Sequence, residues 1–222
     1  MEENLKKLEN YFNNWSIIDF EIILIENGSR DSTLQIARRL EKNNHHLRVF
    51  TIPFASWGEA IRKGFSVAQK EIIIIYPMDL TWSVEFIRNA IKLLERYPIV
   101  LGVRYFPESI VDRPFLRTFI SIFHTFIINL LFKSNFNDID CLKAMRKNVG
   151  KKIISKTRDF GSFFDVEVAM LIFNSKIPYK EISLNHLEPG KLFRHVYWIT
   201  DFAKHFFKIG KKFTYLNRLR LG

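Results

Sequence analysis

Glu71-Ile72-Ile73-Ile74-Ile75-Tyr76-Pro77-Met78-Asp79-Leu80 decides the fold. Four isoleucines and a tyrosine make a β-branched and aromatic run shorter than an ordinary helix, and Pro77 stops it. A short strand buried on both faces satisfies these features together. The same pattern recurs at Phe20–Ile25, Leu47–Ile52 and Ile99–Val103. Between these runs, Asp31–Asn44, Ser56–Gln69 and Ser83–Tyr97 carry helical spacing. Asp31 or Ser32 is available to cap the first, and Ser83 stands two residues before Glu85 in the third. Strand–helix alternation predicts an α/β fold with a mixed, mostly parallel sheet flanked by helices.

Beyond residue 104 the rhythm changes. A Pro-interrupted loop leads into the apolar segment Phe115–Phe132, then a helix near Ser162–Asn174, a strand around Ile177–Leu184, and a basic, aromatic tail from Leu192. No internal repeat or low-complexity linker divides the 222 residues, so one sheet domain over 1–192 with a basic amphipathic C-terminal helix over 193–222 is expected.

Composition narrows the partners. The formal charge of +11 favours a phosphate ligand, nucleic acid or an anionic membrane surface. No helix-turn-helix, zinc or RNA-recognition signature accompanies the charge, which argues against nucleic acid. The single Cys141 excludes an internal disulfide and fits a buried thiol in a reducing compartment. Met1–Asn10 is charged and polar, unlike an export signal.

Phe115–Phe132 carries only Arg117 and His124 as ionisable residues and approaches the ~20 residues of a membrane span. A span would put Arg104 and Asp138 on opposite sides of the bilayer and divide the domain. A helix lying in the interface is therefore expected. In the tail, Lys204, Lys208, Lys211, Lys212, Arg218 and Arg220 alternate with Phe202, Phe206, Phe207 and Phe213, a pattern suited to an anionic membrane surface or to an amphipathic packing helix.

In open α/β sheets ligands sit beyond the carboxyl ends of the strands. Two such positions carry chemistry. Glu26-Asn27-Gly28-Ser29-Arg30-Asp31-Ser32-Thr33 combines a tight-turn glycine with polar side chains able to face a base or ribose. Asp79 after the isoleucine run is either a helix cap or a ligand for Mg2+ or Mn2+, hard cations that take oxygen donors from protein and diphosphate together.

These two stretches, with Trp57-Gly58-Glu59-Ala60-Ile61-Arg62-Lys63-Gly64-Phe65, Gly102-Val103-Arg104-Tyr105 and Asp138-Ile139-Asp140-Cys141-Leu142-Lys143-Ala144, resemble in order and spacing the family 2 glycosyltransferases of the GT-A fold, especially the polyprenyl-phosphate sugar synthases such as the dolichyl-phosphate mannose synthases. Phe164-Asp165-Val166-Glu167 and Glu188-Pro189-Gly190-Lys191-Leu192 extend the resemblance.

The resemblance implies transfer of a hexose, with inversion, from a nucleotide-diphosphate sugar to a polyprenyl phosphate at the cytoplasmic membrane face. It implies a catalytic set of Asp79, Arg104 and Asp138, with Asp79 on the divalent cation. Glu26, Asn27, Gly28, Ser29, Asp31, Gly58 and Lys63 would bind the nucleotide, and Arg113, Arg117, Lys191 and Arg194 the acceptor phosphate.

Three departures stand against the family pattern. Pro77 replaces the first acid of the D-x-D pair, Leu142 replaces a Gly-Phe pair, and Met1–Leu5 matches the stretch that follows the family's first strand. Without that strand its two sheet neighbours would close together, be paired by a partner subunit, or lack a segment placed ahead of Met1. The competing reading is a catalytically impaired relative that serves as a binding or scaffold module.

Overall fold

The isoleucine run forms a strand, and the sheet around it is split. The computed structural model describes residues 1–16, 19–161, 163–187 and 196–221, excepting the side chains of 196–206. In chain order the elements are α1 (Glu2–Asn14), β1 (Ile22–Asn27), α2 (Thr33–Lys42), β2 (Leu47–Ile52), α3 (Trp57–Val67), β3 (Ile72–Ile75), α4 (Glu85–Leu93) and β4 (Ile99–Val103). There follow β5 (Val111–Asp112), α5 (Phe115–Phe132), β6 (Leu142–Arg146), α6 (Lys147–Ile154), α7 (Phe164–Asn174), β7 (Tyr179–Ser183), β8 (His186–Leu187) and α8 (Val196–Arg218).

Four strands form the main sheet in the order β3-β6-β4-β7, with β6 antiparallel to both neighbours and β4 parallel to β7. β1 and β2 form a separate parallel pair, and β5 and β8 a third small one. Among the described residues no strand pairing joins β1 to β3, so the two neighbours of the family's first strand have not closed together.

Both strands nevertheless run the same way. At their starts Glu21 Oε1 accepts from the backbone N–H groups of Gln69 and Lys70 at 2.6 and 3.0 Å. At their far ends α1 spans both, with Asn4 Nδ2 donating to Met78 O at 2.9 Å and Leu5 in one cluster with Leu24 and Met78. Lower on the same helix, Leu8 and Phe12 gather Ile22 of β1 and Ile74 of β3 against Ile87 of α4. α1 therefore ties the two sheets by apolar packing, where backbone hydrogen bonds would join them in a continuous sheet.

The largest core cluster lies on the other face of the main sheet, among α3, α5, α6, α7 and α8. α7 is apolar nearly all round, and its residues Phe164–Ile172 are buried, as expected of a helix enclosed by neighbours. The second half of α8 joins this core: Ile209, Leu216 and Leu219 are buried, and Asn174 Nδ2 donates to the carbonyls of Leu216 and Leu219.

α5 carries an apolar outer face. Ser121, His124, Thr125, Ile128 and Phe132 face the protein, whereas Phe115, Phe119, Phe123, Phe126 and Leu130 are exposed. The four phenylalanines form a ladder of ring contacts at 6.2–6.5 Å along the outer face. α5 is long and apolar enough to cross a membrane, and its inner face is fully engaged with the domain.

Candidate active site

The carboxyl ends of β1 and β3 and the amino end of α3 converge on the predicted residues. The turn after β1 depends on Gly28, whose φ of +69° suits glycine and whose missing Cβ would stand 2.8 Å from the backbone of Phe54 and Ala55. Glu26 is buried and accepts from Ser29 N, which tightens the turn. Asn27 Oδ1 accepts from Ser56 N at 2.6 Å, tying the turn to the start of α3. Asp31 accepts from Thr33 N at 2.9 Å at the start of α2, while Ser32, the N-cap residue by position, makes no side-chain capping bond. Hydrogen bonds from Thr33 hold the Asp31 carboxyl below the usual range.

α3 begins at Ser56, whose Oγ accepts from Glu59 N at 3.1 Å as a helix N-cap and donates to Phe160 O at 2.7 Å. Gly58 is required by close approach, since a Cβ there would lie 2.3 Å from Asp159 O. Lys63 lies farther along α3, 5.3 Å above the Phe50 ring and away from the turn.

After β3, Pro77-Met78-Asp79-Leu80 makes a turn in which Leu80 adopts φ +50°, uncommon for a branched side chain and of a kind found at functional turns. Asp79 is exposed, and its Oδ1 accepts from Thr81 N and Oγ1 at 3.3 and 3.1 Å. It borders an open cleft of about 600 Å³ between α1 and the β3–α4 loop, lined also by Asn4, Lys7, Tyr11 and Trp82.

No group of three or more His, Cys, Asp or Glu side chains able to hold a metal occurs among the described residues. The donor set therefore fits a divalent cation only as Mg2+ or Mn2+ commonly binds in phosphate sites, with one carboxylate from protein and the other positions filled by substrate oxygens and water.

Arg104 and Asp138 are brought together, buried at 4% and 1% exposure. Two bonds of 2.7 Å join the guanidinium to both carboxylate oxygens, and Arg104 also donates to Ser121 Oγ at 3.2 Å. Trp82 and Tyr105 cover the guanidinium at 4.9 and 5.1 Å. Burial opposes its charge, and the Asp138 carboxylate outweighs burial and raises the Arg104 pKa. This closed pair braces the ends of β4 and β6 against α5.

A second buried ion pair was not anticipated as part of the site. Lys143 Nζ on β6 donates to Asp165 Oδ1 on α7 at 2.7 Å and to the carbonyls of Ile139 and Cys141, while Trp57 Nε1 donates to Asp165 Oδ2 at 2.9 Å. Burial pushes the Asp165 carboxyl up, with Lys143 pulling it back. These groups line a cavity of about 40 Å³ with Pro77, Trp82 and Asp140, at the point where the Pro77–Asp79 turn meets β6. The signal was available, because Lys143 interrupts an apolar stretch and Asp165, with Glu167, stands at the start of a largely apolar helix. Burial pushes the neighbouring Cys141 thiol up to about 12, which keeps it protonated.

Arg113 donates to Tyr105 Oη at 3.2 Å, and Arg117 is half-buried in the first turn of α5. Lys191 and Arg194 lie outside the described residues.

The model of glycosyl transferase family 2 matches residues 2–154. Human dolichyl-phosphate beta-glucosyltransferase is 26% identical over 214 residues, which cover 90% of this chain and 66% of that protein. Glycosyltransferase AglD of Haloferax volcanii is 24% identical over 153 residues, 67% of this chain and 24% of that protein. The chain thus spans about a quarter to two thirds of the length of these curated relatives. Among solved structures, glucosyl-3-phosphoglycerate synthase from Mycobacterium tuberculosis in complex with uridine diphosphate has a TM-score of 0.59 at 14% identity, covering 85% of this chain and 66% of that one. The same enzyme with Mn2+, uridine diphosphate and phosphoglyceric acid has a TM-score of 0.58 at 14% identity, covering 91% and 69%. These likenesses establish the GT-A fold. With the family model matched over most of the chain and its motifs gathered at the strand ends, the protein belongs to glycosyl transferase family 2.

Proposed function

We propose that this chain transfers a hexose from a nucleotide-diphosphate sugar to a polyprenyl phosphate, with inversion, at the cytoplasmic face of a membrane. The observation that carries the lipid acceptor is α5, which turns its polar residues inward and a ladder of phenylalanines outward beside Arg113 and Arg117. An interfacial helix gains from burying that face among acyl chains, and water offers no such gain. The relative named a dolichyl-phosphate beta-glucosyltransferase supports the same acceptor and favours glucose over mannose as the hexose.

In this reading Glu26, Asn27, Gly28, Ser29 and Asp31 hold the nucleoside with the amino end of α3, and Lys63 stands at the edge. An oxygen of the acceptor phosphate attacks the anomeric carbon. The bond from that carbon to the diphosphate breaks, its electron pair leaving with the nucleoside diphosphate. The acceptor is already anionic, so no strong general base is needed. A divalent cation held by Asp79 and the diphosphate would neutralise the leaving group's charge. Arg104 and Asp138 act by bracing the strand ends, while Arg113 and Arg117, with Lys191 and Arg194, draw in the acceptor phosphate.

The purified protein is assayed with labelled UDP-glucose and GDP-mannose and a polyprenyl phosphate in anionic vesicles. Lipid-linked glucose is expected; absence of turnover with every donor, from folded protein, sinks the proposal. Pro77 in place of the first acid favours a second reading, a non-catalytic binding module. Titration with UDP and Mn2+ separates the two, because the enzyme reading requires metal-dependent binding that Asp79→Ala abolishes.

A further inference from the structure

We infer that Lys208 and Lys212 of α8 are positioning residues for the turn that holds the nucleotide, acting through the loop 158–161. The inference rests on the nucleotide reading above, yet its geometry is independent of the reaction. Asp159 and Glu167 are buried at 5% and 0% exposure. Buried carboxylates need charge partners or several donors, and α8 supplies the charge. Lys208 Nζ lies 2.8 Å from Asp159 Oδ2, and Lys212 Nζ lies 3.2 Å from the same oxygen and 3.3 Å from Glu167 Oε1. The remaining oxygens grip the loop backbone. Glu167 Oε2 accepts from Arg158 N and Asp159 N at 2.7 and 2.9 Å, and Asp159 Oδ1 from Gly161 N at 2.8 Å. Burial pushes the Asp159 carboxyl up, and Lys208, Gly161 N–H and Lys212 outweigh it and hold the carboxyl below its ordinary value.

So held, the loop presents its carbonyls to α3. Asp159 O accepts from Arg62 Nη2 at 2.8 Å, and Phe160 O accepts from Gly58 N at 3.1 Å and Ser56 Oγ at 2.7 Å. Gly58 N is one of the donors that a helix start leaves without an intrahelical acceptor, so the loop completes the cap that Ser56 begins. Ser56 N in turn donates to Asn27 Oδ1. A continuous series of direct hydrogen bonds thus runs from two lysines of the last helix to the turn after the first strand. Ile209 and Leu216 of α8, with Leu219 just beyond it, anchor the helix in the core independently of the lysines' charge.

The test is the double variant Lys208→Met/Lys212→Met, which keeps the stems and removes both charges, beside the Lys208→Arg/Lys212→Arg control. Full-length protein is followed by amide exchange at Gly58 and Gly161, by circular dichroism, and by titration with UDP and Mn2+. In the methionine variant, exchange at both glycines is expected to rise about tenfold and UDP affinity to fall several-fold at unchanged helix content, with the arginine variant restoring both. Unchanged exchange at Gly58 in a folded methionine variant overturns the inference. Failure of the wild type to bind UDP overturns the nucleotide reading instead, and the exchange measurement still decides whether the lysines position α3. Should the methionine variant fail to fold, Lys208→Met alone, with the same readouts, decides.

Discussion

β4 and β1 are both short apolar strands that carry part of the site at their carboxyl ends, yet they live in different environments. β4 pairs on both sides, with β6 and β7, and all five of its residues are buried. Among the described residues β1 pairs only with β2, and of its six residues only Glu26 is buried. The contrast shows in the polar groups each region can hold. The main sheet holds Arg104 and Asp138 as a buried, bidentate pair beyond the ends of β4 and β6. The two-stranded sheet is steadied from outside: Ser56 ties its turn, α1 packs over it, and Glu21 joins its start to Gln69 and Lys70. Activity assigned to the turn after β1 therefore depends on elements distant in sequence, whereas β4 is held on both sides by backbone pairing with β6 and β7.

The largest effect expected from this contrast lies in the main sheet. Arg104→Met leaves the Asp138 carboxylate buried without its partner and should cost about 3–5 kcal/mol in chemical denaturation. Adding Asp138→Leu should recover much of the loss. If the single variant costs no more than a surface substitution, the pair is wetter than its geometry indicates, and the contrast breaks.

Hydrogen exchange probes the middle of the range. Amides of β1 and β3 that are not bonded to β2 or β6 should exchange on the order of thirtyfold faster than those of β4, about 2 kcal/mol less protected. Equal protection would mean that packing by α1 substitutes fully for strand pairing.

The smallest effect concerns Glu21, where the two sheets touch. Burial pushes this carboxyl up, and the N–H groups of Gln69 and Lys70 with the Arg48 guanidinium outweigh burial and hold it below the ordinary value. A carboxyl lowered in the folded state stabilises above its unfolded pKa, and that contribution is lost as pH falls through the folded value. Glu21→Gln should therefore melt earlier than wild type near neutrality, and the difference should begin to shrink as pH falls through the ordinary glutamate pKa of ~4.3 and vanish only below the lowered folded value. A pH-independent difference would show that the bridge is held by geometry and carries no charge effect.

Much of this architecture was legible in the order of residues. The isoleucine run, with Phe20–Ile25, Leu47–Ile52 and Ile99–Val103, located four strands within about two residues of where they form, because β-branched apolar runs report burial on two faces directly. Gly28 announced its turn for a comparable local reason, its positive φ. β6 was legible only as a motif, since Lys143 interrupts its pattern and is tolerated there through Asp165, which lies 22 positions later on another element. The loop 158–161 carried no signal, as Asp159 matters only once α8 returns to it.

Local patterns in the sequence located β1 to β4 and β7, the turn glycine and the Asp79 position, and its ordered motifs carried the resemblance to family 2 glycosyltransferases. Only the tertiary structure decided that the sheet is split between β1 and β3, that Arg104 and Asp138 close on each other, that α5 turns its phenylalanines outward, and that the last helix latches onto the loop beside the first turn. The physical reason is range. Strand propensity, turn strain and capping are settled by a few adjacent residues, whereas the partner of a buried charge and the outward face of a helix are set by whichever distant segment packs beside them.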